Sequence, residues 1–480
     1  MILENPMRNR IVGIDVKVPL LNGDFAPYVF LDNAASTPAF TDVVDAINQF
    51  IPFYSSVHRG TGFKSRLSTI AYDQAHEIIA KFVGADLDHH TVIFGKNTTE
   101  AINKLSYRYP LRSDSIVLVS SMEHHSNDLP WRHRANVVHI GVTPEGRLDE
   151  EDFDKKLDQY GKRIALVAIT GASNVTGFVQ PVHRLARKAH SVGAKILVDA
   201  AQLAPHRKVD MKPIDDPEHL DFVALSAHKM YAPFGTGALI GPKEIFLMNG
   251  PEYRGGGTVD LVTLEDVKWA GLPDRDEAGS PNVIGAVAMA VAAQVLMDYG
   301  MEKVAAHEEE LIKYTLKRMK EIPGIKIYGE TDPEKANEKV GVIPFNLESV
   351  SHFLVAAVLG YEGGIGVRNG CFCAHPYVVH LLGLSDSEIK SWQAQFLAGT
   401  KAEMPGLIRA SFGCYNTFED IDKLIDMLKV INESKFEGKY CQDQKTGEFK
   451  PEGWVEPVKD YFALEPENIA QFTHFGCGKN

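Results

Sequence analysis

The strongest constraint on this chain is a repeat of short runs rich in Val, Ile and Leu, separated by helix-length amphipathic stretches. The runs are IVLVS (Ile116–Ser120), IALVAIT (Ile164–Thr170), KILVDA (Lys195–Ala200), FVALSA (Phe222–Ala227) and GALIG (Gly237–Gly241). Charges or turn residues bound each one. Runs of this kind read as strands buried on both faces, and intervening segments such as PVHRLARKAHSVG supply the helices that cover them. The alternation predicts an α/β domain over residues 27–295, with a mostly parallel sheet covered by helices.

The pattern changes near residue 300. EKVAAHEEELIKYTLKRMKEI reads as a long amphipathic helix, IKIYGE and VGVIPFNLE as strands, and FEDIDKLIDMLKVINES as a closing helix. This predicts a smaller α+β domain over residues 296–430. Residues 1–26 read as a lead-in that packs on the small domain, and residues 431–480 as a polar C-terminal extension. With 480 residues, 44% of them hydrophobic, the chain has material for two such cores.

A net charge of −13, with no run of Lys or Arg, argues against nucleic acid as a partner. No apolar stretch reaches the roughly 20 residues of a membrane span, so no membrane partner is expected. MILENPMRNR lacks the apolar region of a signal peptide. The five cysteines (Cys371, Cys373, Cys414, Cys441 and Cys477) are few and odd in number, which suits a reducing cytoplasm. No CxxC spacing suggests a metal, and none is expected.

Chemistry concentrates in ILVDAAQ and LSAHKMYAPFGTGALIG. Asp199 falls at the carboxyl end of one expected strand and Lys229 just after another, which is where open α/β sheets collect their sites. A lysine buried there is driven toward the neutral amine that forms a Schiff base. A carboxylate nearby holds a pyridinium nitrogen protonated, so that the ring acts as an electron sink. Taken alone, each residue has a plainer reading, a solvated lysine and a turn aspartate. NTTEAIN (Asn97–Asn103) reads as a capped helix start whose N–H groups and dipole favour an anion.

VDAAQ followed by SAHKMYAPFGTG resembles the signature of class V aminotransferases, the fold-type I enzymes dependent on pyridoxal 5′-phosphate (PLP). The resemblance extends through LDNAASTP, NTTEAIN, SMEHHSN, SNVTG, EAGSPN and IRASFGCYNTFEDID, across nearly the whole chain. It implies PLP on Lys229, with Asp199 at the pyridine nitrogen, Gln202 at the phenolic oxygen and His124 stacked on the ring. It implies a phosphate held by Thr98, Thr99, Ser226 and His228, and Asn174 beside ring and substrate. It also implies a homodimer in which Ser280 reaches the other copy's phosphate.

GVRNGCFCAHP resembles the loop of group II cysteine desulfurases, with Arg368 beside the substrate and Cys373 as the catalytic thiol. Arg409 matches the arginine that binds the substrate carboxylate. These matches imply L-cysteine as substrate and a persulfide passed from Cys373 to a sulfur-acceptor protein. The loop departs from the pattern, since Cys371 and Phe372 stand where the family has two histidines. Cys371 is then filler or a second thiol beside Cys373. The His58–Arg59 segment has Gly62 where a further histidine is common. A selenocysteine lyase, C–S lyase, epimerase or transaminase of the same superfamily is the alternative reading, and a catalytically silent binding protein of this fold is another.

Overall fold

The computed structural model describes residues 5–464. Cys477 and the outer ends of the expected lead-in and C-terminal extension lie outside the described residues. A large sheet holds seven strands: β1 (His90–Gly95), β2 (Ile116–Ser120), β3 (Asn136–Ile140), β4 (Ile164–Thr170), β5 (Lys195–Asp199), β6 (Phe222–Ser226) and β7 (Gly237–Pro242). Their spatial order is β1-β7-β6-β5-β4-β2-β3. The five runs singled out in the sequence are the five interior strands.

All pairings are parallel except those of β7, which runs antiparallel to both β6 and β1. Residues 227–236 form the β6–β7 connection. It is too short for the crossover of about a dozen residues that a parallel return needs. Because β7 opposes both neighbours, β1 and β6 share a direction. The carboxyl ends of β1, β2, β4, β5 and β6 therefore meet on one edge.

Alternate side chains along each interior strand enter different cores. Val167, Ile169, Ile196, Val198, Val223 and Leu225 pack on one face, against the helices Phe63–Phe82 and Val283–Tyr299. Leu166, Ala168, Leu197, Phe222 and Ala224 pack on the other, with Ile102 and Leu105 of the helix Thr98–Arg108. Each fully buried aliphatic or Phe side chain contributes about 1.5–3 kcal/mol, which explains why both faces must be apolar.

A second, antiparallel sheet follows: β8 (Ile325–Ile327), β9 (Val342–Leu347), β10 (Arg368–Gly370) and β11 (Leu407–Ser411), in the order β8-β9-β11-β10. The helices Met301–Met319 and Phe418–Asn432 cover it through Leu311, Leu316, Ile421 and Leu424. Early residues join this core, because Val29–Phe30 pairs in parallel with Ile365–Gly366. Within the later chain, Tyr440–Gln442 pairs with Phe449–Pro451, and Glu362 accepts from Gly438 N–H and Tyr440 O–H. Among the described residues, no single helix is both long and apolar enough to cross a membrane.

Candidate active site

A cavity of about 260 Å³ opens at the shared strand edge. Strand ends supply Thr170, Asp199 and Ser226, and the turns beyond them supply Thr98, Thr99, His124, Gln202, His228 and Lys229. Arg368, Phe372, Cys373 and Arg409 close it from the side of the small sheet. Of the thirteen residues named from the sequence, twelve line this one space. Ser280 does not; it lines a separate cavity of about 690 Å³ with His58, Arg59 and Glu277.

Lys229 ends the turn Ala227–Lys229 that follows β6, and its Nζ lies 3.3 Å from Gln202 Oε1. Burial pushes the Lys229 ammonium down to about 8, although Asp199 pulls the other way. Asp199 is buried at the end of β5 and accepts from Ala201 N–H at 3.0 Å. Burial raises its pKa, opposed by that hydrogen bond and by Lys229. A buried carboxylate in this position favours a cationic partner.

The helix Thr98–Arg108 starts at Asn97, whose side chain caps Glu100 N–H at 3.0 Å. Gly237 makes the approach possible, since a Cβ there would sit 2.5 Å from the Asn97 carbonyl carbon. Ser226 Oγ accepts from Thr98 N–H at 2.9 Å and lies 2.8 Å from Thr98 Oγ1. Thr99 Oγ1 lies 2.7 Å from Ser126 Oγ. The helix start thus gathers hydroxyls and N–H groups at its positive end.

His124 Nδ1 accepts from Ser126 N–H at 3.1 Å, which leaves the ring hydrogen on Nε2 when the imidazole is neutral. Burial, with Lys229 adding to it, pushes His124 down to about 3. His228 is likewise lowered by burial, to about 4. Both rings are therefore uncharged near neutral pH.

Arg409 sits in β11 directly opposite Arg368 in β10. Two like charges facing across strands repel, and Asp32 bridges them. Its Oδ1 accepts from Arg409 at 2.9 Å and its Oδ2 from Arg368 at 2.9 Å. Arg409 also donates to the Asn174 carbonyl at 2.9 Å, and burial lowers its pKa to about 10. Its Nε is buried without a hydrogen-bond partner among the described residues.

Cys373 is exposed at the cavity wall. The backbone that carries it is unusual: Phe372 and Cys373 have φ of 51° and 56°, consecutive left-handed residues without glycine. Conformations of this kind cost of order 1–3 kcal/mol each and persist only where neighbours hold them. Here Asn174 Nδ2 donates to the Phe372 carbonyl at 2.8 Å and His125 N–H donates to the Cys373 carbonyl at 2.8 Å. The Phe372 ring lies 4.7 Å from the Arg409 guanidinium. Cys371 is buried and burial pushes its thiol up to about 11, which fits filler rather than a second nucleophile.

Asp32 and Ser126 lie within LDNAASTP and SMEHHSN, and only the fold brings them to Arg409 and Thr99. Phe372 stands where the family's loop has a histidine, and its packing on Arg409 appears only in the fold.

The model of the Aminotransferase class-V family matches residues 29–424. The chain belongs to this family. Its enzymes work with PLP, and the matched span holds every residue of the cavity. A cysteine desulfurase of Haloferax volcanii is 38% identical over 439 residues, covering 89% of this chain and 95% of that protein. A probable cysteine desulfurase of Halalkalibacterium halodurans is 35% identical, covering 85% and 94%. Among solved structures, the apo cysteine desulfurase of Thermococcus onnurineus superposes with a TM-score of 0.75 at 29% identity, covering 88% of this chain and 99% of that one. An Escherichia coli cysteine desulfurase gives 0.72 at 28% identity, covering 89% and 98%.

Proposed function

We propose that this class-V enzyme is a PLP-dependent cysteine desulfurase that moves sulfur from L-cysteine onto Cys373. The observation that carries the proposal is an exposed thiol held by a strained loop in the wall of the cavity that contains Lys229. The donor set fits PLP. A buried carboxylate suits a pyridinium, a helix start with hydroxyls suits a phosphate, and a lysine shifted toward the neutral amine suits a carbonyl. Bound there, PLP supplies an electron sink for negative charge developing at the substrate α-carbon.

Lys229 would hold the cofactor through its neutral amine, and the same side chain, once free, would take the substrate's α-proton as general base. Asp199 would keep the ring nitrogen of a bound cofactor protonated, and the neutral His124 would hold the ring in place. Thr98, Thr99, Ser226 and His228 would bind its phosphate, and Gln202 would meet its phenolic oxygen. In the proposed homodimer, Ser280 serves the other copy's phosphate.

Arg409, assisted by Arg368 and Asn174, binds the substrate carboxylate, with the unpaired Nε as a waiting donor. The Cys373 thiolate attacks the substrate sulfur. The new S–S bond forms as the C–S bond breaks, that electron pair stays on the β-carbon, which takes a proton, and Lys229 returns a proton to the α-carbon. Alanine leaves, and Cys373 carries a persulfide to an acceptor protein or a reductant.

Product identification tests this reading. With L-cysteine and a reductant, alanine and sulfide should appear in equal amounts. Pyruvate and ammonia, or a D-amino acid, would overturn it.

A further inference from the structure

Behind Lys229 a buried chain of polar side chains runs on from Gln202 through His206 and Glu308, two residues that the mechanism above leaves unused. Gln202 Oε1 lies 3.3 Å from Lys229 Nζ, and Gln202 Nε2 lies 3.1 Å from His206 Nε2. His206 Nδ1 meets the carboxylate of Glu308, a residue of the helix Met301–Met319. Arg207 donates to the other Glu308 oxygen at 3.1 Å and to the Lys339 carbonyl at 2.8 Å. Gln202, His206 and Glu308 are 3%, 1% and 0% exposed, so these bonds are shielded from bulk solvent.

Hydrogen-bond polarity links the members of the chain. An ionised carboxylate only accepts, so His206 Nδ1 carries a hydrogen. In a neutral ring Nε2 is then an acceptor, and the Gln202 amide must give it the NH₂ end. That turns the amide oxygen toward Lys229, the arrangement seen here. An anionic phenolic oxygen on a bound cofactor needs the opposite end of the amide. The amide can turn only if His206 Nε2 also carries a hydrogen, which makes the ring an imidazolium facing Glu308.

We propose that Glu308 and His206 are positioning residues: the proton held between them decides which end of the Gln202 amide faces the cofactor on Lys229. This rests on the PLP reading given above. The charged and titratable groups around the pair are Arg207 beside Glu308, Lys229 across Gln202, and Tyr231 and Cys414, which feel the Glu308 charge. Glu308 supplies the counter-charge for the imidazolium, and without it the amide stays oxygen-forward and the phenolic oxygen loses its donor.

The test is a pH titration of the visible absorbance of the lysine-bound cofactor in the PLP-loaded protein. Glu308→Gln should raise the apparent pKa of that band by about one unit, the worth of one hydrogen bond to a charged group. The sign is diagnostic, because mere removal of a buried negative charge lowers the pKa of a nearby cation. Gln202→Leu should shift the band upward by a similar amount, and adding Glu308→Gln to it should change nothing further. If Glu308→Gln does not fold, His206→Gln gives the same comparison. A band that titrates as in the wild type, moves downward, or shifts additively in the double variant overturns the inference. A wild-type protein with no lysine-dependent band overturns the PLP reading itself.

Discussion

The two sides of the cavity are built differently. Lys229, Asp199 and Ser226 stand on or beside the ends of buried parallel strands, so their positions are set by the core. Cys373 stands on a loop whose backbone is left-handed at two successive residues and is held by single hydrogen bonds from Asn174 and His125. On the proposed reading, the rigid side contains what holds PLP, and the strained side contains what selects one reaction among several. A fold can keep the first constant and vary the second without disturbing its core.

Removing the rigid side should have the largest effect. Lys229→Ala should lose both the cofactor's visible band and turnover, the latter by roughly 10²–10⁴-fold or more for the lost base alone. Cys373→Ser should separate the two sides: the band stays, and desulfuration falls to background. Desulfuration at the wild-type rate would show that the loop does not select the reaction. Arg409→Lys bridges the two sides, since the guanidinium touches both Asn174 and Phe372. Loss of the planar fork should lower kcat/KM for L-cysteine by about ten- to hundredfold, chiefly through KM; an unchanged KM would remove the carboxylate from this arginine.

The smallest effect is one of pH. On the proposed reading, Lys229 would take up PLP only through its neutral amine, and burial pushes its pKa down to about 8. Cofactor loading of the apo-protein should therefore level off above pH 8 and slow by about tenfold per unit below it. Loading that keeps accelerating toward pH 10 would mean that the lysine is not tuned by burial. His124, pushed down to about 3, should contribute no step to this profile above pH 5.

The difference between the two sides also decided what could be read from the sequence. The five interior strands announced themselves because both faces are apolar. The edge strands β1 and β3 did not, since HTVIFG and NVVHI mix polar residues into a short apolar center. Lys229 and Asp199 follow from strand ends and motif. Asp32 did not, because its role exists only once β10 places Arg368 against Arg409 of β11. The left-handed turn at Phe372 and Cys373 was also invisible, because neither residue type favours it and long-range hydrogen bonds impose it.

The clamp of Asp32 on Arg409 joins residues 377 positions apart. A ribosome adding 5–20 residues per second needs roughly 20 to 75 s to travel between them. During that interval Asp32 waits without the arginine it will bridge, while all seven strands of the large sheet, which lie between the two residues, have already been made. The Asp32–Arg409 pair is thus among the last features of the molecule to exist, and on the proposed reading a chain released before residue 409 carries Lys229 but lacks the principal arginine for an amino acid's carboxylate.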